Sequence, residues 1–196
     1  MSDPPTVIKV GGSLFNLPDL GERLQRWLAT QETTNLLLLP GGGPTTDVIR
    51  DLDQLQALGQ EKAHWLALRA LALNAHVLAA FLPTGEVVQE IAACSSCWAA
   101  GRLPILDAHA FARTDEGRPG CLPHVWEVTS DAIAARVAGV AGARALILLK
   151  SVTIPPGIDW IEAGQRGWVD PAFAGVLRQA PELRVSVVNF LEWISD

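Results

Sequence analysis

The stretch Thr6-Val7-Ile8-Lys9-Val10-Gly11-Gly12-Ser13 limits what this chain can become more than any other. Val7 to Val10 reads as a buried strand that runs directly into two glycines and a hydroxyl. A lysine inside such a strand costs desolvation energy unless an anion meets it. Gly11 and Gly12 let the backbone approach a ligand closely, and successive N–H groups in a turn of this kind form a concavity that favours anions. The stretch therefore reads as a phosphate cradle. The alternative is an ordinary strand-to-helix turn with a snorkelling lysine.

A second glycine turn strengthens the first reading. Leu36 to Pro40 is a buried strand candidate, followed by Gly41-Gly42-Gly43-Pro44-Thr45-Thr46-Asp47. Proline suits the first turn of a helix, so a helix is expected to begin here. Two strand–glycine–helix units so close together would set two anion-binding helix starts at neighbouring strand ends. Neither turn has the spacing of a Walker loop or of the dinucleotide fingerprint.

The rest of the chain alternates between the two periods. Helices are expected from about Pro18 to Thr30, from Thr45 to Leu58 with Val48, Ile49, Leu52 and Leu55 at helical spacing, and from Gln60 to Phe81, which is nearly apolar throughout. Val87-Val88 and Leu103 to Leu106 read as short strands around a helix over 89–99. Residues 112–124 are polar and rich in Gly and Pro, and read as a surface loop or hairpin near a site. Thr129-Ser130-Asp131 caps a small-residue helix over 132–141. Ala145 to Lys150 is a clear strand, 151–167 reads as loop, and a helix over 171–179 precedes a strand over 185–188 and a closing turn at 190–194. Strands alternating with helices predict an α/β fold, a three-layer α/β/α sandwich around a mainly parallel sheet. With 196 residues and 49% hydrophobic residues, a single domain over 1–196 is expected.

Charge narrows the partners. The net charge is −6, the pI about 5.2 and the mean hydropathy +0.23. A nucleic-acid or acidic-membrane surface needs a basic face, so neither partner is expected, whereas a nucleotide needs only a few local donors. With no apolar leader at Ser2-Asp3-Pro4-Pro5 and no membrane-length apolar run, a cytoplasmic protein with reduced cysteines is expected. Cys94, Cys97, Cys121 and His124 have the ligand types and paired spacings of a zinc site, but no compact knuckle surrounds them. They read as plain thiols and no metal is assigned to them.

Taken together, Lys9-Val10-Gly11-Gly12-Ser13, Pro40-Gly41-Gly42-Gly43-Pro44 and Thr129-Ser130-Asp131 resemble the amino acid kinase family in order and distance. Within it the chain is similar to a short branch that phosphorylates [5-(aminomethyl)furan-3-yl]methyl phosphate in methanofuran biosynthesis. Ala63-His64-Trp65 and Leu122 to Ala135 carry that likeness. The resemblance implies an ATP- and Mg²⁺-dependent kinase whose small, already phosphorylated acceptor becomes a diphosphate. Another acceptor, a carboxylate or phosphate, is the in-class alternative. It implies that Lys9 contacts the transferring phosphoryl group, that Gly11, Gly12 and Ser13 hold the nucleotide phosphates, and that Gly41, Gly42 and Gly43 approach the acceptor. Asp131 would orient Lys9 or organise the Mg²⁺ shell. His64 lies on the helix that lines the acceptor pocket in this family. It is either a donor to the acceptor's phosphate or a partly buried histidine satisfied by a carbonyl. Trp126, Thr129 and Ser130 are further acceptor-side candidates, and a homo-oligomer is expected.

Two departures matter. Family members commonly carry a Thr-Asp-x-Asp-Gly-like segment and a second lysine after the late strand, but no lysine follows Lys150 here. Lys150 or Arg166 would then substitute, or turnover would be slow, or the chain would bind nucleotide without catalysis. The Gly-Thr pair often seen near the family's C-terminus is also missing.

Overall fold

The computed structural model describes residues 3–193. Its centre is a six-stranded sheet in the order β3-β4-β2-β1-β5-β6, with every pairing parallel. The strands are β1 Thr6–Val10, β2 Leu36–Pro40, β3 Gly85–Val88, β4 Leu103–Leu106, β5 Ala145–Lys150 and β6 Arg184–Asn189. Helices α1 Leu20–Ala29, α2 Gly43–Gln56, α3 Gln60–Phe81, α4 Cys94–Ala99, α5 Ala108–Asp115, α6 Ser130–Val140, α7 Trp160–Gln165 and α8 Phe173–Leu177 cover it. A 3₁₀ turn over Gly12–Asn16 follows the first glycines.

Both faces of the sheet's centre are dry, and β1 and β2 are buried along their whole length, whereas the edge strands β3 and β6 are partly exposed. Alternate residues go to opposite sides. Val7, Leu37, Leu39, Leu146 and Leu148 join the core that includes α6. Ile8, Val10, Leu38 and Leu149 join the core that includes α1 and the C-terminal half of α3. By the same alternation Lys9 shares the face of Val7, and Lys150 the face of Leu146 and Leu148. Both lysines are thereby delivered under α6. That helix sits low over β1 because Ala132, Ala134, Ala135 and Ala138 present only methyl groups to the sheet.

The structure adds detail to the sequence reading in three places. The apolar stripe of α2 does not face the core: Val48, Leu52 and Leu55 are exposed, and the buried residue of this helix is Thr46. Periodicity reveals that a helix has two faces, not which one meets the protein. The polar stretch at 112 is not all loop, because Ala112 to Asp115 complete α5, which Asp107 caps by accepting from the Ala110 N–H at 2.9 Å. The stretch from 151 to 167 likewise contains α7, capped by Asp159. The closing turn begins at Phe190 as expected, and its last residue, Ile194, lies outside the described residues. None of the described helices is long and apolar enough to cross a membrane.

Candidate active site

β1 lies between β2, the next strand in sequence, and β5, which the chain reaches only after building β2, β3 and β4 on the other side. Such a reversal leaves a crevice beyond the carboxyl ends of the strands, and a cavity of about 250 Å³ lies there. Lys9, Gly12, Ser13, Gly42, Gly43, His64, Trp126, Thr129, Ser130, Asp131 and Lys150 all line it. All three expected segments, separated by more than a hundred residues from first to last, therefore meet at one place.

The deepest feature is a charge triad. Lys9 Nζ stands 2.9 Å from Asp131 Oδ1, and Lys150 Nζ donates to Oδ2 at 2.7 Å. The Lys9 and Asp131 side chains are each 5% exposed, that of Lys150 13%. Burial alone would push the Asp131 carboxyl up, but the ammonium groups of Lys9 and Lys150 outweigh it and hold the group below the ordinary carboxylate value. Burial and the adjacent Lys9 ammonium together pull Lys150 below its usual value in spite of Asp131. Two buried cations thus share one anion, leaving an excess positive charge at the cavity floor. Arg166, the other candidate for the second cation, is outside the cavity lining. It pairs with Glu162 and stacks on Trp168 with its guanidinium 4.9 Å from the ring centre.

The two glycine turns touch through bare backbone. A Cβ on Gly12 would collide with the amide nitrogen of Gly43, and one on Gly43 with the Gly12 carbonyl. Gly43 also has φ +52°, which glycine alone adopts without strain. The expectation for Gly42 changes accordingly. Its backbone is ordinary helix, with φ −76°, and a side chain there would strike Thr46 Oγ1. Gly11 and Gly41 do not line the cavity. The Gly11 N–H donates to the Leu149 carbonyl at 2.9 Å and the Gly41 N–H to the Val10 carbonyl at 2.7 Å, so both amides serve the sheet and cannot hold phosphate. Ser13 Oγ is 2.9 Å from Ser151 Oγ, linking the first turn to the segment after β5.

His64 is buried, and its Nδ1–H donates to the Val125 carbonyl at 3.0 Å. Burial lowers the imidazole below its ordinary value, and His124, stacked at 5.5 Å, adds to this. The Val125 carbonyl thus satisfies one ring nitrogen, while the residue also lines the cavity. Trp126 Nε1 donates to Asp53 Oδ2 at 2.8 Å, fixing the indole against α2.

Three contributors escaped sequence reasoning. Asn74 is 2% exposed on α3; its Nδ2 donates to the carbonyls of Gly41 and Gly42 at 2.8 and 2.7 Å, and its Oδ1 accepts from Thr45 Oγ1 at 2.9 Å. The signal was one amide within an apolar helix. Asp170 Oδ2 accepts from the Thr129 N–H, Thr129 Oγ1 and the Ala132 N–H, capping α6 from 41 residues away in the first two cases. Burial pushes its carboxyl up to about 6, although these donors oppose the shift. Arg50 also lines the cavity, over the ring of Trp126.

Cys94 and Cys97 are buried in α4 and Cys121 is exposed. Among the described residues no group of three His, Cys, Asp or Glu side chains is placed to hold a metal ion.

The sequence profile of the amino acid kinase family matches residues 4–153. Three solved structures share the architecture at a TM-score of 0.66. Uridylate kinase from Archaeoglobus fulgidus is 16% identical, over 95% of this chain and 92% of that one. UMP kinase from Ureaplasma parvum is 15% identical over 96% and 90%, and UMP kinase from Bacillus anthracis 15% over 96% and 88%. At such identities the likeness is one of fold. Comparison with curated protein sequences finds no match.

Proposed function

The chain belongs to the amino acid kinase family, and from that premise we propose that this kinase moves the γ-phosphoryl group of ATP onto a small phosphate monoester, forming a diphosphate. The acceptor we favour is [5-(aminomethyl)furan-3-yl]methyl phosphate, as the likeness of residues 63–65 and 122–135 suggests. The observation that carries the phosphoryl-transfer reading is the triad: Lys9 and Lys150 held on Asp131 at the floor of a cavity whose rim is two touching glycine turns.

Phosphoryl transfer needs little covalent help from a protein. Charge spreads over the equatorial oxygens of the moving group, and fixed cations stabilise it. Lys9 and Lys150 are pre-set by Asp131, so neither has to reorganise when that charge develops. Asp131 holds both ammonium groups, Lys150 by a hydrogen bond and Lys9 by an ion pair, which favours an orienting role. Besides Asp131, the described lining carries one carboxylate, Asp47, whose pair with Arg50 is an exposed surface contact. Mg²⁺ would be held by phosphate oxygens and water, with the Ser13 hydroxyl at the cavity wall, and would supply further neutralisation of charge. The bare backbone of Gly12 and Gly43 lets the two turns close on each other, and that contact forms the rim of the cavity.

We also read the protein as a single cytoplasmic domain that self-associates. Val48, Leu52 and Leu55 on α2 and Leu66 and Leu73 on the adjoining α3 are exposed apolar side chains, a surface that a second copy would cover. Light scattering that returned a monomer mass would end that idea.

The kinase reading is tested by ³¹P NMR of protein, ATP·Mg²⁺ and the furan monoester. Diphosphate is expected from the wild type, and at least a hundredfold less from Lys9→Ala. ATP binding without any transfer would point instead to a nucleotide-binding regulator.

A further inference from the structure

The cations of the cavity differ in how far they are committed. Lys9 and Lys150 both rest on Asp131. Elsewhere, Arg136 grips Asp115 through Nε and Nη2, each at 2.8 Å, and donates to the Pro119 carbonyl, as a structural arginine does. Arg50 is different. Its Nη1 donates to Asp47 Oδ1 at 2.8 Å, and its guanidinium carbon lies 5.3 Å from the centre of the Trp126 ring. A guanidinium carries five N–H donors, and among the described residues only Asp47 accepts from this one. Most of its donors are therefore open to a ligand in the cavity that the residue lines.

We infer that Arg50, held over the ring of Trp126, is the subsite for the phosphate that the acceptor already carries. This rests on the phosphomonoester reading above. Three observations converge on it. The charge of an incoming monoester must be met in addition to that of the nucleotide, and Arg50 is the one Lys or Arg of the described lining not bound to Asp131. Its platform is built, because Asp53 fixes the indole N–H at 2.8 Å and thereby the plane over which the guanidinium lies. Its present partner is easily displaced: the Asp47 pair is an i,i+3 surface contact with side chains 47% and 61% exposed, which a phosphate dianion outcompetes through a bidentate fork. Helical side chains lean toward the N-terminus, so Arg50 points back along α2 toward the Gly42–Gly43 turn. That direction leads to where the phosphoryl group would arrive.

The test is calorimetric binding of benzyl phosphate to the purified protein, with the donor subsite filled by a non-hydrolysable ATP analogue and Mg²⁺. Benzyl alcohol serves as the uncharged control. Wild type is expected to bind the monoester, Arg50→Gln at least tenfold more weakly, and Arg50→Lys in between, because it keeps the charge but not the fork. The residue is half exposed, so all three proteins should melt alike. Equal affinity in wild type and Arg50→Gln, or no binding to the wild type, overturns the inference. If Arg50→Gln loses binding but the wild type transfers no phosphoryl group to any monoester, the subsite stands and the kinase reading falls.

Discussion

Replacing Lys150 by methionine should separate stability from activity. The Lys150–Asp131 contact of 2.7 Å corresponds to about 6 kcal/mol of attraction at an effective dielectric near 20. Lys9 touches the other oxygen of the same carboxylate, and its repulsion of Lys150 cancels part of that attraction. Desolvation of a nearly buried ammonium removes several kcal/mol more. The sum is unfavourable to the charge, in agreement with the lowered Lys150 value. With its folded pKa below the unfolded one, the protonated lysine costs stability at pH 7, and the cost fades only as pH rises toward the unfolded value. Lys150→Met leaves Lys9 and Asp131 as a balanced pair, so Tm should stay within about 4 °C of wild type or rise. The transition state, however, loses one of its two fixed cations, and kcat should fall by a factor of about 10². Scanning calorimetry and ADP release with the furan monoester measure the two sides. A kcat within twofold of wild type, or a Tm lower by more than about 8 °C, would refute the reasoning.

Two further perturbations address the supports around the triad. Asn74→Ala removes both donors to the Gly41 and Gly42 carbonyls, so urea denaturation should show a loss of about 2–4 kcal/mol; a change below about 1 kcal/mol would mean that the turn holds itself. Asp170, raised to about 6, stabilises the fold most below the ordinary carboxylate value and loses that contribution as pH climbs through 6. The stability difference between wild type and Asp170→Asn should therefore shift against wild type by about 2 kcal/mol between pH 4 and 7, and parallel curves would show that Asp170 titrates normally.

Much of this arrangement was legible before any coordinates. The apolar runs of β1, β2 and β5, the two glycine turns and the Thr129-Ser130-Asp131 segment are local signals, and each names its element. Lys150 was legible as a strand-end cation, and period-two alternation explains why it and Lys9 emerge on the same face. What stayed hidden depends on distance or on sidedness. Asp170 acts on residues 41 positions earlier, from a stretch that reads as irregular. Asn74 lies in a helix whose composition announces only burial. Arg50 looks like a solvated charge on α2, and helical spacing does not say which face of that helix meets the protein. The engagement of the Gly11 and Gly41 amides in the sheet could not be read from a glycine doublet or triplet, since motif spacing does not say which N–H groups are left over.

The cap that Asp170 places on α6 also has a meaning in time. The chain emerges from the ribosome N-terminus first, at about 5–20 residues per second. Strands β1, β2 and β5, both glycine turns and all three members of the triad precede Asp170 in the sequence. Until that residue and the segment carrying it have been made, the N–H groups of Thr129 and Ala132 have only water to bond. Every group proposed to touch phosphate is then already synthesised, while the helix that aims Asp131 is still open at its start. Completion of the site is thus tied to synthesis of the C-terminal quarter, and a nascent chain carries the parts of the cavity several seconds before it holds them in place.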